Sequence, residues 1–573
     1  MSYTTSTAIL EALRSAGVDY VFANLGSDHS ALLEAWAQAR SAGRAAEFPT
    51  LVTSPHEMVA MSAAHGFAQL SGRAQAVLVH VECGTQQLGG AMHNAAKGRV
   101  PVLILAGASP ATQEGEARGS RNEFIHWIQD VFDQRGIVRG YMRYDNQIHH
   151  GANAKQIVNR ALQFAHSEPQ GPVYLMATRE VLEAEIERVS IDPAQWPRIS
   201  AGALTAADAA LIARALAEAR RPLIVTSYVG RNVAAVAELV RLCTRAGAGV
   251  LESVPSRVNF PSTHELYQGC QWNEKRQNPA LAEADTILVI DSDVPWIAQI
   301  NRPSPAANIL HIDTDPLKAQ MPLWYIHARL ALRADAATAL RQINAQLEQL
   351  PLDAARVRER TAHYARRHAD RSAELERLEQ PSADCLTPEY LTACVRAAIG
   401  ADAIVLSEGV TNFQVIANHA GRVRPGTLFT SGGGSLGWSG GAAVGTKLAS
   451  PESLIVSLTG DGSYMFSIPA SVHWMAKRYD TPFLQVVYNN RGWRAPRFSA
   501  LGVHPDGFAS RTADIGASFD PPPDYAGIAA AAGGALAQTV RRAEEVEPAL
   551  RRALQAVREQ RRSAVIDAWL APG

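Results

Sequence analysis

The segment Gly460-Asp461-Gly462 is followed by 26 residues, Ser463 to Tyr488, and then by the amide pair Asn489-Asn490. A carboxylate and an amide are hard oxygen ligands. Mg²⁺ takes such oxygens in octahedral geometry and leaves part of its shell to phosphate oxygens and water. Gly460 and Gly462 let backbone approach an anion closely, and Ser463 with a helix start adds donors at the positive end of the helix dipole. The expected ligand is a diphosphate held through Mg²⁺.

These residues need elements that bring them together. SLIVSL reads as a buried strand ending at GDGS, a tight turn; YMFSIPASVHWMAKRY reads as a helix, and FLQVVY as the next strand, which ends at Asn489. A right-handed βαβ crossover of this kind sets Asp461 and Asn490 at the carboxyl ends of two parallel strands, where open α/β sheets bind ligands. A second turn, LSEGVTNFQ at 406–414, follows the strand AIVL, so the amides of Val410, Thr411 and Asn412 are candidates for the other end of the diphosphate.

The same rhythm runs through the whole chain. YVFANLG, AVLVHV, PVLILAG and GPVYLMA alternate with helical patterns in the N-terminal third, and RPLIVTSY, GVLESV, TILVIDSD and ILHIDTD do so in the middle. The fold class expected is α/β, with three consecutive doubly wound parallel-sheet domains. They are placed at 1–185, 201–348 and 385–573, with a solvated Arg- and Glu-rich linker helix at 349–384.

Hydrophobic residues make up 47% of the 573 and charged residues 19%, with a formal net charge of -1, which excludes a disordered chain and a basic nucleic-acid binder. Five scattered cysteines without a CxxC pair argue against disulfide scaffolds and zinc sites. The N-terminus MSYTTSTAILEALRSAGVDY has no basic start or long apolar core, and no apolar run approaches the ~20 residues that span a bilayer. A cytoplasmic protein without membrane or nucleic-acid partners is expected.

The GDG and NN spacing is similar to the signature of thiamine diphosphate-dependent enzymes. The resemblance implies Asp461, Asn490 and the carbonyl of Gly492 as Mg²⁺ ligands; Trp493, in the glycine- and proline-rich stretch that follows at the site mouth, is a candidate cofactor or substrate contact. SGGGSLGWSGGAAVG at 431–445 resembles the stretch that bends this cofactor, with Leu436 beneath the bend and the Gly434 carbonyl accepting from the cofactor's amino group. SPHEMVAMSAAHGFAQLSG at 54–72 looks like the family's activating segment, which makes Glu57 the carboxylate that faces the aminopyrimidine. In the family that glutamate faces another subunit, so a homodimer or homotetramer with intersubunit sites is implied.

His80 stands at a strand end 23 residues after Glu57, a spacing similar to that of the proton-handling histidine in benzoylformate decarboxylases. Ser27 resembles their carboxylate-contacting serine, and Gln113 and His126 lie where relatives carry further substrate-facing groups. The implied reaction is carbon–carbon lysis or ligation through a cofactor-bound carbanion/enamine, of the 2-hydroxyacyl-CoA lyase/synthase or acetolactate synthase type. The alternative is 2-oxo acid decarboxylation of the benzoylformate decarboxylase type. A CoA ester would need an anion-binding surface, for which Arg231, Lys275, Arg276 and Lys318 are candidates. No GxGxxG follows a central strand, which argues against FAD or NAD, and intact Glu57, Asp461 and Asn490 argue against a non-catalytic thiamine diphosphate-binding paralogue.

Overall fold

A computed structural model of the chain describes residues 3–273 and 276–571. Lys275 lies outside the described residues. Among the described residues, eighteen strands form three six-stranded sheets whose pairings are parallel throughout. The first contains β1 (Tyr20–Ala23), β2 (Thr50–Thr53), β3 (Gln75–Val79), β4 (Val102–Ala108), β5 (Tyr144–Gln147) and β6 (Val173–Thr178), in the order β2-β1-β3-β4-β6-β5. The second contains β7 (Pro222–Thr226), β8 (Gly249–Ser253), β9 (Tyr267–Gln271), β10 (Thr286–Ile290), β11 (Asn308–Asp313) and β12 (Leu330–Arg333), ordered β12-β11-β10-β7-β8-β9. The third contains β13 (Ile404–Glu408), β14 (Leu428–Phe429), β15 (Ile455–Gly460), β16 (Leu484–Asn489), β17 (Leu536–Val540) and β18 (Ala564–Trp569), ordered β14-β13-β15-β16-β18-β17.

The first and third sheets therefore share one topology, and their inner strands are covered on both faces. Every residue of β4 and of β16 is buried, as continuous apolar runs in parallel sheets require. The helix Glu57–Ser71 packs along Trp438–Ala449, and one apolar core runs from Phe22 and Val77 through that contact to Trp438 and Phe483. Small residues make this approach possible: a methyl at Gly66 would overlap the backbone of Ala442, and one at Gly445 the carbonyl of Ala63.

Three local readings of the sequence are corrected. GDGS is not a turn ahead of a helix: Gly460 is the N-cap and Asp461 the first residue of the helix Asp461–Phe466. The single helix expected after it is broken at Ile468, which adopts φ +57°, and Pro469 opens a second helix that runs to Arg478. The Arg-rich helix Ala354–Leu378 is not wholly solvated either. Arg360 and Tyr364 are fully buried against the central domain, and the Arg360 guanidinium donates to the carbonyls of Leu216, Ala217, Ala219 and Ala246. Among the described residues no helix is long and apolar enough to cross a membrane.

Candidate active site

In the third sheet the strand order reverses between β13 and β15, the switch point at which open α/β sheets bind ligands. The turn after β13 and the helix start after β15 converge there around a cavity of about 290 Å³, whose walls include Gly409, Val410, Thr411, Gly460, Gly462 and Ser463. Leu436, Asp461, Asn490, Gly492 and Trp493 line it as well. Val410 holds φ +45° and Arg491 φ +62°. A left-handed conformation is costly for a β-branched valine, and such strain persists where surrounding structure over-determines the loop.

Asp461 is buried and oriented through its two oxygens: Gly462 N–H donates to Oδ1 at 2.8 Å and Gly492 N–H to Oδ2 at 2.9 Å. Burial pushes its pKa up to about 6. The two asparagines differ sharply. Asn489 is satisfied within the protein, donating to Asp567 at 2.9 Å and accepting from Arg491 N–H at 3.1 Å. Asn490 is also buried, yet its Oδ1 has no hydrogen-bond partner. An orphaned buried amide oxygen on the same cavity wall as a buried carboxylate fixed by backbone N–H groups fits a hard divalent cation. Glu408, whose carboxyl burial raises, accepts from Trp438 N–H at 2.9 Å and Ser439 N–H at 2.8 Å, which fixes the helix start beneath Leu436 and Gly434. From the N-terminal domain, Asn94 accepts from Ser435 N–H and donates to the Ser435 carbonyl, both at 2.9 Å.

A second cluster occupies the carboxyl edge of the first sheet. Glu57 begins the helix after β2 and accepts from Asn24 Nδ2 at 2.9 Å. His80, directly after β3, has Nδ1 at 2.6 Å from Asp28 Oδ1 and Nε2 at 2.8 Å from Gln129 Oε1. Both ring nitrogens thus face acceptors. The bond to Asp28 raises the His80 pKa, so the structure favours the imidazolium. Asp28 is itself pushed up by burial but ends below the usual carboxylate range through His29 and His80, and it also accepts from Val81 N–H at 3.1 Å. Ser27 Oγ lies 3.3 Å from Nε2 of His126, which burial and the neighbouring Arg179 hold below the ordinary histidine pKa. Arg179 Nη1 donates towards that nitrogen at 3.1 Å and to Asn122 Oδ1 at 3.0 Å.

Three family models cover most of the chain: the N-terminal TPP binding domain of thiamine pyrophosphate enzymes matches residues 3–137, the central domain 209–343 and the C-terminal TPP binding domain 409–568. The chain belongs to the thiamine pyrophosphate enzyme family. Thiamine pyrophosphate (thiamine diphosphate) is its cofactor, and it is an enzyme of the carbon–carbon lyase and carboligase type. A benzoylformate decarboxylase of Pseudomonas aeruginosa is 27% identical, covering 97% of each chain. A sulfoacetaldehyde acetyltransferase of Castellaniella defragrans is 26% identical over 98% of this chain and 92% of that one. The fold matches a thiamine diphosphate-dependent 4-hydroxybenzoylformate decarboxylase of Rhodococcus jostii RHA1 with a TM-score of 0.78, at 22% identity over the full length of both chains.

Against this thiamine pyrophosphate enzyme framework the expected residues fall into three groups. Val410, Thr411, Leu436, Gly460, Asp461, Gly462, Ser463, Asn490, Gly492 and Trp493 meet at one cavity, while Gly434 and Leu436 line an adjoining one. Asn412 is buried beside the turn, with an unpartnered Nδ2, and is not a wall of the cavity that holds Asp461. Glu57, His80, Ser27 and His126 gather on the first sheet instead. Gln113 is not brought to them: it sits in an exposed loop, with its backbone N–H donating to Glu116 at 2.9 Å. Asp28, Gln129, Arg179 and Glu408 were not singled out for the roles they play here. Asp28 adjoins Ser27 and Arg179 directly follows β6, so strand-end position was the available signal.

The central-domain cations proposed for a CoA ester are largely engaged. Arg231 pairs with Glu168 at 3.1 Å, and Lys318 with Asp293 at 2.7 Å and Asp313 at 2.5 Å.

Proposed function

We propose that the chain is a thiamine diphosphate- and Mg²⁺-dependent decarboxylase of a 2-oxo acid, with ligation to an acceptor carbonyl open to the same site. The observation that carries this is the Asp28-held His80 packed against Gly26 beside Ser27. An imidazolium next to a hydroxyl suits binding of a substrate carboxylate and delivery of the proton that replaces it once the carbon–carbon bond has broken and CO₂ has left. His80 then recovers a proton from solvent. Bound thiamine diphosphate supplies the electron sink for that cleavage.

Asp461 and Asn490, with the Gly492 carbonyl, would hold Mg²⁺ against the diphosphate. Val410, Thr411 and Ser463 would contact its oxygens, and Leu436 and Gly434 the bent remainder. Glu57 would face the aminopyrimidine from a second copy of the chain. Two observations support that assembly. Glu57 is not a wall of the cavity that holds Asp461 in its own chain. Exposed apolar side chains also flank both half-sites, Phe124 and Ile128 near His126, and Met465 and Phe466 near Asp461. A homodimer is the smallest complete unit, and a homotetramer preserves it. The 2-hydroxyacyl-CoA reading is less favoured, because Arg231 and Lys318 are neutralised by carboxylates of this chain.

A holoenzyme assay tests the proposal: CO₂ release from pyruvate and benzoylformate, set beside condensation of formyl-CoA with simple aldehydes and ketones. CO₂ release that falls at least tenfold in His80→Ala is expected. Formyl-CoA condensation without any CO₂ release would overturn the decarboxylase reading.

A further inference from the structure

Arg179, the residue directly after β6, is 8% exposed, and among the described residues it forms no ion pair. A buried charge is ordinarily paired, because taking it out of water is costly. The carboxylates near it are committed elsewhere. Glu180 accepts from the Thr112 N–H at 2.8 Å and hydroxyl at 2.6 Å. Glu183 accepts from Ser30 at 2.9 Å and pairs with Arg118 at 3.3 Å, and Asp28 is taken by His80 and Val81.

The surroundings of Arg179 carry too many donors. Its Nη1 donates to Asn122 Oδ1 at 3.0 Å and lies 3.1 Å from His126 Nε2, while its buried Nε has no partner. The Asn122 N–H points at the other nitrogen of the same ring, Nδ1, at 3.3 Å. Burial and Arg179 hold His126 in its neutral form, and a neutral imidazole has one acceptor nitrogen. The ring therefore satisfies one of these two N–H groups and turns its own N–H towards the other. A surplus donor, an orphaned Nε and an unpaired positive charge all lack the same thing, an anionic acceptor.

This spot adjoins the residues assigned to the substrate. Ser27 Oγ lies 3.3 Å from the His126 nitrogen that Arg179 faces. One short helix, Ile125–Ile128, joins it to His80: His126 lies within the helix, and Gln129 directly after it meets His80 Nε2 at 2.8 Å. The two cations suit different groups. His80 loses its charge when it delivers its proton, and the carboxylate it faces leaves as neutral CO₂. A guanidinium keeps its charge, and on the departing carboxylate it would stabilise the ground state more than the transition state. Arg179 suits an anion that stays charged throughout.

We propose that Arg179 binds a second, terminal carboxylate of the substrate, so that the substrate class is a 2-oxo dicarboxylic acid. This rests on the decarboxylase reading and its placement of substrate beside Ser27. The free Nε and an adjacent Nη form an edge that grips both oxygens of a carboxylate, and Ser27 adds a hydroxyl donor.

The test compares kcat/KM of the holoenzyme for 2-oxoglutarate and 2-oxoadipate with that for 5-methyl-2-oxohexanoate, which carries an isopropyl group in place of the terminal carboxylate. One dicarboxylate should be preferred by at least about tenfold, and that ratio should collapse in Arg179→Met, chiefly through KM, and return in Arg179→Lys. Retained thiamine diphosphate binding shows that each variant has folded. If Arg179 only holds the Asn122 loop, all three substrates fall together and the ratio stays, which overturns the proposal, as does the absence of any preference in wild type. Release of CO₂ from no 2-oxo acid would sink the decarboxylase reading instead, and calorimetry with unreactive ligands then decides this inference. Glutarate bound at least about tenfold more tightly than 5-methylhexanoate, with the difference lost in Arg179→Met, supports it; equal affinities overturn it.

Discussion

Asp28 Oδ1 stands 2.6 Å from Nδ1 of His80, and this pairing sets the charge on the ring. Replacing the carboxylate with an amide, Asp28→Asn, removes the main cause of the raised His80 pKa while keeping the shape of the side chain. The limb of the pH–rate profile that reports His80 deprotonation should move to lower pH, with at least a tenfold loss of turnover at pH 8 and a smaller loss at pH 6. Stability follows the same sign. A raised histidine pKa contributes fully below the unfolded value of about 6.5 and is lost as pH rises through the folded one, whereas the lowered Asp28 pKa contributes above about 3.9. The wild-type advantage in melting temperature should therefore be largest near pH 5 and shrink towards pH 9. A profile that does not move would mean His80 is not the group that titrates.

Asn489 and Asn490 are neighbours in sequence with opposite hydrogen-bond states, and the difference predicts which one matters to the metal. Asn490→Ala removes an oxygen that makes no bond in the protein, so the apoenzyme should melt within about 0.5 kcal/mol of wild type. Its affinity for Mg²⁺ and thiamine diphosphate should fall at least tenfold, read by titration calorimetry. Asn489→Ala removes the donor to Asp567 Oδ1, whose other oxygen keeps Trp569 Nε1, and an acceptor of the Arg491 amide, and should lower stability by about 1–3 kcal/mol. Burial pushes the Asp461 pKa up to about 6, so below that pH metal binding must also displace a proton from it. Mg²⁺ affinity should accordingly be flat above pH 7 and decline as pH falls through 6. If Asn490→Ala melts early and Asn489→Ala loses the metal, the assignment of the pair is reversed.

What the sequence disclosed, and what it hid, divides along separation in the chain. Asp461 and Asn490 were legible because apolar β-branched runs end directly at them, and a parallel sheet places such strand ends side by side. The three sheets were legible for the same reason. The helix start at Asp461 was misread because two glycines suggest a turn, although Gly460 as an extended N-cap lets the helix begin at once. Asp28 and His80, 52 residues apart, become partners only when β1 and β3 pair, and no local pattern announces that contact. Arg360 looked like a solvated charge in an Arg-rich helix. Its burial depends on four carbonyls from distant helix ends, which periodicity along its own helix cannot reveal.

Gly462 lies beneath the indole of Trp493, where an added Cβ would come within 2.6 Å of Nε1 and 2.8 Å of Cδ1. The backbone there is helical, so Gly462→Ala removes a helix-disfavouring glycine and by itself favours folding by about 0.5–1 kcal/mol. Trp493 is partly exposed and can swing aside, which relieves the overlap but carries the ring off the cavity wall. Stability and cofactor binding should thus separate: the melting temperature of the apoenzyme holds or rises, while the thiamine diphosphate Kd increases about tenfold, or 1.4 kcal/mol. Unchanged cofactor affinity would show that Trp493 does not border the bound cofactor.

The division of the half-sites between chains is open to a complementation test that needs no structure of the assembly. Glu57→Gln should retain Mg²⁺ and thiamine diphosphate binding but lose most turnover, and Asp461→Asn should lose metal binding. If each site takes Glu57 from one copy and Asp461 from the other, a dimer mixing the two variants contains one site with both lesions and one with neither. Random pairing makes half of the dimers mixed, with half of their sites intact, so coexpression should restore about a quarter of wild-type activity. A site built within a single chain would always carry one lesion. Coexpressed activity no higher than the sum of the separate variants would therefore place Glu57 and Asp461 in the same chain's site and remove the requirement for a dimer.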